Sequence, residues 1–225
     1  MKTLFTLFRK NAYFFLPFSL WIIVGGILLA TYSQRELFLS INGEHSFWGD
    51  VLVTGITYLG DGIMFGAILL LILLMQKFRL FFIGLAVFLL TAIIIQIAKH
   101  YFNAPRPLSY FGDEAGTLVH TVKWVTVHGS CSFPSGHSAV AFGMFSFLTL
   151  MLNNKKLGLL FIGLALSAAY SRIYLAQHFF VDVYVGSIVG TLCTVLVYGF
   201  FGFRNSASAP ELCAEAVMKA NTTTA

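Results

Sequence analysis

Apolar stretches at roughly 12–31, 54–75, 79–98, 137–152, 157–173 and 180–203 alternate with short polar or charged breaks. Each approaches the ~20 residues that an α-helix needs to cross a hydrocarbon core of about 30 Å, so the pattern predicts six membrane-spanning helices. The breaks QKFR at 76–79 and NNKK at 153–156 are short enough to join antiparallel neighbours. Two longer polar stretches remain, about 32–53 and about 101–136. The first, with Glu36, Glu44 and Asp50, reads as a solvated acidic loop, and Asp61 follows within LGDG. The second opens NAPRPLSYFGDE, where Pro105 and Pro107 forbid a continued helix and hold Arg106 in an extended, rigid presentation. Residues 205–225, rich in Ala, Ser and Thr, read as a weakly ordered cytoplasmic tail after a single membrane domain at 1–204.

Composition sharpens this into a class. The chain is 58% hydrophobic and 10% charged, with mean hydropathy +0.83, far from a soluble domain. A net charge of +5 makes no basic face, because the cations are scattered between apolar runs, and a nucleic-acid partner is not indicated. Three cysteines without CxxC spacing suggest neither a disulfide framework nor a zinc site. The basic start at Lys2, Arg9 and Lys10 precedes about 20 apolar residues with no A-x-A site, which reads as a first span and not a cleaved signal.

With the N-terminus inside, nine of the fourteen basic residues are cytoplasmic (Lys2, Arg9, Lys10, Lys77, Arg79, Lys155, Lys156, Arg204 and Lys219). The other five, Arg35, Lys99, Arg106, Lys123 and Arg172, violate the positive-inside preference and ask for another task. All six histidines fall on the same outer side. His120 and His128 stand eight apart with no carboxylate or Cys at a supporting spacing, so no metal site is read there.

Three stretches carry candidate chemistry. In SRIYLAQHFFVDV at 171–183, His178 and Asp182 are four apart; on a helix they share a face, and the carboxylate fixes the imidazole tautomer. Arg172, across a short turn, carries a guanidinium able to fork onto an oxyanion. In PSGHS at 134–138, Ser135 is a good N-cap, Gly136 allows close backbone approach, and the helix N-terminus attracts anions, with His137 at its rim. Lys99 and Arg106 flank the start of the second polar stretch. In the six-span plan, Lys99, Arg106, Ser135, His137, Arg172, His178 and Asp182 all reach the outer interface.

These blocks resemble the type 2 phosphatidic acid phosphatases, a family that also includes lipid pyrophosphate phosphatases and vanadium haloperoxidases. KHYFNAPRP at 99–107 matches Lys, six residues, Arg-Pro; Pro134–His137 matches Pro-Ser-Gly-His; Ser171–Asp182 matches Ser-Arg, five residues, His, three residues, Asp. All eleven specified positions agree in order. The resemblance implies that His178 is the nucleophile, oriented by Asp182, and that His137 protonates the leaving oxygen. It implies further that Lys99, Arg106, Ser135, Gly136 and Arg172 hold the phosphate, with no metal or other cofactor. The expected protein is an all-α polytopic membrane enzyme, a six-helix bundle whose active site lies at the extracytoplasmic helix ends. It would hydrolyse a lipid phosphate or diphosphate through a phosphohistidine, with the bilayer and its lipid substrate as partners and no obligate protein partner. The substrates open to it are phosphatidylglycerol phosphate, phosphatidate, undecaprenyl diphosphate and the phosphates of lipid A. Compact size and the lack of an N-x-S/T site in any predicted outer loop fit a bacterial inner membrane. Two alternatives stand beside this: phosphotransfer to another lipid from the same intermediate, and a lipid-binding or transport protein carrying a relic site.

Overall fold

The computed structural model describes residues 2–43 and 45–202. Every regular element among them is a helix. A short helix α1 (Lys2–Lys10) leads into α2 (Ala12–Thr31), followed by α3 (Gln34–Asn42), α4 (Phe47–Thr57) and α5 (Gly62–Leu74). The long α6 (Phe78–Phe102) precedes two short helices, α7 (Pro107–Phe111) and α8 (Ala115–Leu118). Three helices close the fold: α9 (Gly136–Met151), α10 (Leu157–Tyr174) and α11 (Phe180–Gly202).

Helices α2, α6, α10 and α11 are each long and apolar enough to cross a membrane, and α4 with α5 make a fifth such span if the bent pair counts as one. The remaining apolar run, the fourth in the chain, forms α9, which has 16 residues and rises only about 24 Å. It lies inside the bundle against α6, α10 and α11. The outward faces of its neighbours carry Leu16, Leu20, Ile23 and Ile27 on α2 and Phe82, Leu89, Ile93 and Ile97 on α6, all exposed. A belt of that size has water-excluding company only in lipid, and the chain is a multi-pass membrane protein.

Two expectations change. The run at 54–75 is not one helix: it bends by 52° at Asp61, after a 3-10 turn at Tyr58–Gly60. Asp61 adopts an extended conformation and its carboxylate accepts from the Ile63 N–H at 3.0 Å, capping α5. Gly60 lies so near α9 that a Cβ there would stand 2.7 Å from the His137 carbonyl oxygen. Nor is 32–53 a solvated loop. Ser33 and Glu36 form a capping box that starts α3, Ser46 caps α4, and Asp50 keeps only 13% of its side chain exposed. Glu44 and the tail at 205–225 lie outside the described residues.

The closest helix contact is between α9 and α11. A Cβ on Gly190 would sit 2.0 Å from the Ala139 carbonyl oxygen, and one on Gly186 2.5 Å from that of Ser135. Thr194 Oγ1 donates to the Gly143 carbonyl at 2.9 Å across the same seam. Small residues four apart let two backbones approach, which is how helices associate where no hydrophobic effect separates lipid from side chain. Gly190→Ala is therefore expected to cost about 1–3 kcal/mol of stability through overpacking. Gly66→Ala, on a lipid-facing position of α5 with open space around its Cβ, should be neutral or gain up to about 1 kcal/mol. Thermal unfolding of both variants in detergent checks the contrast.

Candidate active site

The seam between α9 and α11 sets two of the three motif blocks side by side. Ser135 donates its backbone N–H to the Asp182 carbonyl at 3.0 Å, and its hydroxyl caps α9 by accepting from Ser138 N at 3.4 Å and Ser138 Oγ at 2.9 Å. Ser135 is thus fully buried behind the rim that Gly136 and His137 form.

His178 and Asp182 meet, though not on one helix. Arg172 lies in the last turn of α10, and its carbonyl accepts from both Gln177 N (2.9 Å) and His178 N (3.1 Å), folding the chain back in a tight connection. His178 precedes α11, whereas Asp182 is in its first turn. The Asp182 carboxylate reaches back to the Phe179 N–H at 2.9 Å, as a first-turn acid does when it satisfies an otherwise free helix donor. The same oxygen lies 3.4 Å from His178 Nδ1 and accepts from Ser132 Oγ at 2.5 Å. A carboxylate that only accepts keeps the imidazole proton on Nδ1 and leaves Nε2 with its lone pair. Burial, outweighing the hydrogen bond to Asp182, pushes His178 down to about 3, so the imidazole is neutral at physiological pH.

Arg106 holds the extended conformation expected between its prolines. Its Nε donates to the Ser130 carbonyl at 2.9 Å and its Nη1 to Gln177 Oε1 at 2.8 Å, while Gln177 Nε2 is tied to the Thr126 carbonyl at 2.9 Å. Lys99 lies in the last turn of α6, which Asn103 ends in the left-handed region at φ 39°. Arg172 donates from Nη1 to Thr57 Oγ1 on α4 at 2.6 Å, and its buried Nε has no hydrogen-bond partner.

Lys99, Arg106, Gly136, His137, Arg172 and His178 line one cavity of about 250 Å³, together with Gln177 and His128. Ser135 and Asp182 stand directly behind this lining. Among the described residues none of the three cations forms an ion pair; of the two carboxylates near the cavity, Asp182 is committed to His178 and Asp61 caps α5. A second, more apolar hollow of about 200 Å³ between α5, α6 and α9 shares Lys99, Gly136 and His137 with the first. A charged cavity and an apolar one thus share a wall. Chemically, the charged cavity offers a neutral imidazole, a second histidine, and three cations placed to surround a tetrahedral anion.

Ser132, Gln177 and Thr57 hold these groups and were not singled out from sequence. Gln177 had a signal, a polar residue beside His178 in an apolar stretch; Ser132 and Thr57 had none, because their partners lie 50 and 115 residues away.

Comparison with known proteins agrees with this geometry. The chain is 29% identical over 169 residues to phosphatidylglycerophosphatase B of Bacillus subtilis, covering 68% of this chain and 75% of that protein. It is 29% identical over 167 residues to a lipid A 4'-phosphatase of Bacteroides thetaiotaomicron, covering 70% and 72%. The crystal structure of Aquifex aeolicus LpxE superposes with a TM-score of 0.64 at 27% identity, over 76% of this chain and 98% of that one. The family model of the PAP2 superfamily matches residues 79–206, which hold all three motif blocks; the chain belongs to the PAP2 superfamily.

Proposed function

We propose that the protein is an integral membrane phosphatase acting on a lipid phosphate or lipid diphosphate through a phosphohistidine formed on His178. The observation that carries this reading is the convergence of three cations without carboxylate partners on the cavity that His178 lines. Buried positive charge is costly unless something negative completes it, and the unpartnered Arg172 Nε adds a donor without an acceptor. A phosphoryl group supplies both charge and acceptors.

In the first displacement Nε2 of His178 attacks phosphorus as the P–O bond to the lipid breaks, and His137 gives its proton to the departing oxygen. Lys99, Arg106 and Arg172 hold the nonbridging oxygens while charge redistributes, with the Gly136 N–H at the N-terminus of α9. Asp182, steadied by Ser132, stabilises the imidazolium as it forms. In the second step water, losing a proton to His137, attacks the phosphohistidine, inorganic phosphate leaves, and His178 is neutral again. The cations and the helix N-terminus supply the positive charge, so no metal takes part in these steps.

The apolar hollow beside the cavity suits the tails of a substrate whose headgroup sits at the helix ends, so a lipid enters sideways without leaving the bilayer. Relatives named phosphatidylglycerophosphatase B and lipid A 4'-phosphatase support a substrate drawn from the membrane lipid phosphates. We assign the site to the extracytoplasmic face on the distribution of basic residues, and the membrane to a bacterial inner membrane.

Phosphate release from purified protein with a panel of lipid phosphates tests the activity. Turnover should persist in EDTA and be suppressed by vanadate, which becomes five-coordinate at a nucleophilic histidine. Complete loss with EDTA in protein whose Tm is unchanged, restored by a divalent ion, would reject the chemistry.

Arg172→Lys should lower kcat/KM by roughly 30–100-fold, the equivalent of about 2–3 kcal/mol for a charge-assisted contact, because an ammonium cannot fork. Wild-type turnover in that variant would mean the arginine only balances charge.

Leaving-group chemistry separates the histidines. Protonation matters most for a poor leaving group, such as the alkoxide of a glycerol or sugar phosphate, and little for a nitrophenolate. His137→Ala is expected to cost far more on an alkyl lipid phosphate than on p-nitrophenyl phosphate, whereas His178→Ala abolishes both. Equal impairment of His137→Ala on every leaving group, in protein that still binds vanadate, contradicts these roles.

A further inference from the structure

Outside the phosphate cavity, the fold assembles a second group of chemistry-bearing side chains. His45 precedes α4, Asp50 lies in its first turn, and His120 comes from the stretch after α8; their ligand atoms all lie within 4.8 Å of one another. His45 Nδ1 stands 3.5 Å from Asp50 Oδ1, and His120 Nε2 3.3 Å from Asp50 Oδ2. The two imidazole rings stack with centroids 3.5 Å apart.

Hydrogen bonds outside the trio fix its polarity. His45 Nε2 is held on the Asn42 carbonyl, which can only accept, so that nitrogen carries the proton and Nδ1 keeps the lone pair. Nδ1 is buried and has no hydrogen-bond partner. A lone pair facing a carboxylate is unsatisfied until a proton or a metal cation stands between them, and the second imidazole on the same carboxylate suits a metal. Asn42, fully buried, orients the other ligand: its Oδ1 accepts from His120 N at 2.9 Å, and its Nδ2 donates to the carbonyls of His120 (3.1 Å) and Tyr174 (2.8 Å). The Tyr174 hydroxyl donates to Asp50 Oδ1 at 2.9 Å. Imidazoles and a carboxylate oriented by outer hydrogen bonds are the supporting arrangement that metal ligands use.

We propose that His45, Asp50 and His120 bind one divalent transition-metal ion of the Zn²⁺ class. Two nitrogens and one oxygen match the preference of zinc, whereas Mg²⁺ and Ca²⁺ demand oxygen. The ion is a clasp and touches no reacting atom. It ties the start of α4 to the stretch after α8 and, through Asp50 and Tyr174, to the end of α10. Thr57, at the other end of α4, holds Arg172, so the clasp braces the wall on which that arginine stands. This inference does not rest on the phosphatase reading, and its test uses no activity assay.

Full-length untagged protein in detergent, stripped with chelator and desalted, is titrated with Zn²⁺ and separately with Mg²⁺. Bound metal is measured by mass spectrometry and Tm by intrinsic fluorescence. One zinc per chain and a Tm raised by several degrees are expected, with no response to Mg²⁺. Asp50→Asn and His120→Gln should each weaken zinc binding by tenfold or more and remove the Tm shift, and His178→Ala should bind as wild type does. Co²⁺ added to the wild-type protein gives a readout independent of any variant's folding: visible d–d bands of a low-symmetry site, displaced by Zn²⁺. Absence of bound zinc and of Co²⁺ bands in the wild type overturns the proposal. So does zinc binding that survives Asp50→Asn and His120→Gln, or that disappears in His178→Ala, which would put the ion in the phosphate cavity.

Discussion

Backbone contact between α9 and α11 is the constraint on which the rest of this structure depends. At Gly186 and Gly190 no side chain separates the two helices, and carbonyls of Ser135 and Ala139 occupy the space that a Cβ would need. Van der Waals contact at this range, sealed by Thr194 on the Gly143 carbonyl, replaces the hydrophobic drive that lipid cannot give. Its geometric result is chemical: the start of α9 lies against the start of α11, and Ser135 bonds the carbonyl of Asp182. Two helix N-termini thereby meet at one edge of the cavity. One carries Gly136 and His137, the other Asp182 with His178 just before it. This arrangement brings a buried imidazole, its orienting carboxylate and a second histidine to the same edge.

Around that seam the protein keeps charge buried but divided. Asp182 spends its carboxylate on the Phe179 N–H, Ser132 and His178, and forms no ion pair with Arg106 or Arg172. Those guanidiniums are held by neutral partners instead, Arg106 by Gln177 and the Ser130 carbonyl, Arg172 by Thr57. Neutral acceptors fix orientation without cancelling charge, which keeps the field in the cavity positive in a medium of low effective dielectric. Such a site is poised for an anion and unfavourable without one. That is the general trade between stability and function at preorganised sites.

The segments between the long helices give this chamber its walls. Asn42 gathers His120 and Tyr174 through three hydrogen bonds, and the extended stretch at Arg106 is laced to the one before α9 by Arg106 N on the Gly129 carbonyl and Ser132 N on the Ala104 carbonyl. Backbone buried in such a protein must be satisfied internally, and here the same bonds that satisfy it locate Arg106 and Ser132. Structure in these segments and geometry in the cavity are one requirement.

Much of this was present in the order of residues. Apolar length dictated the helices, because a segment with no water beside it must bond its own backbone. Proline on either side of Arg106, Ser135 before an apolar run, and the spacing of Arg172, His178 and Asp182 marked the candidate residues, since each carries a local conformational or chemical demand. Sequence did not reveal the bend at Asp61, where two glycines and a capping carboxylate interrupt an unbroken apolar run so that Gly60 can lie on the His137 carbonyl. Nor could it show that His178 stands ahead of α11 while Asp182 caps it, because four-residue spacing fits both a helix face and a helix start. Partnerships such as Ser132 with Asp182, Thr57 with Arg172, and His45 and Asp50 with His120 join residues far apart in the chain. Local propensity acts over a few residues, and only the packing of α4, α9, α10 and α11 decides which distant side chains become neighbours.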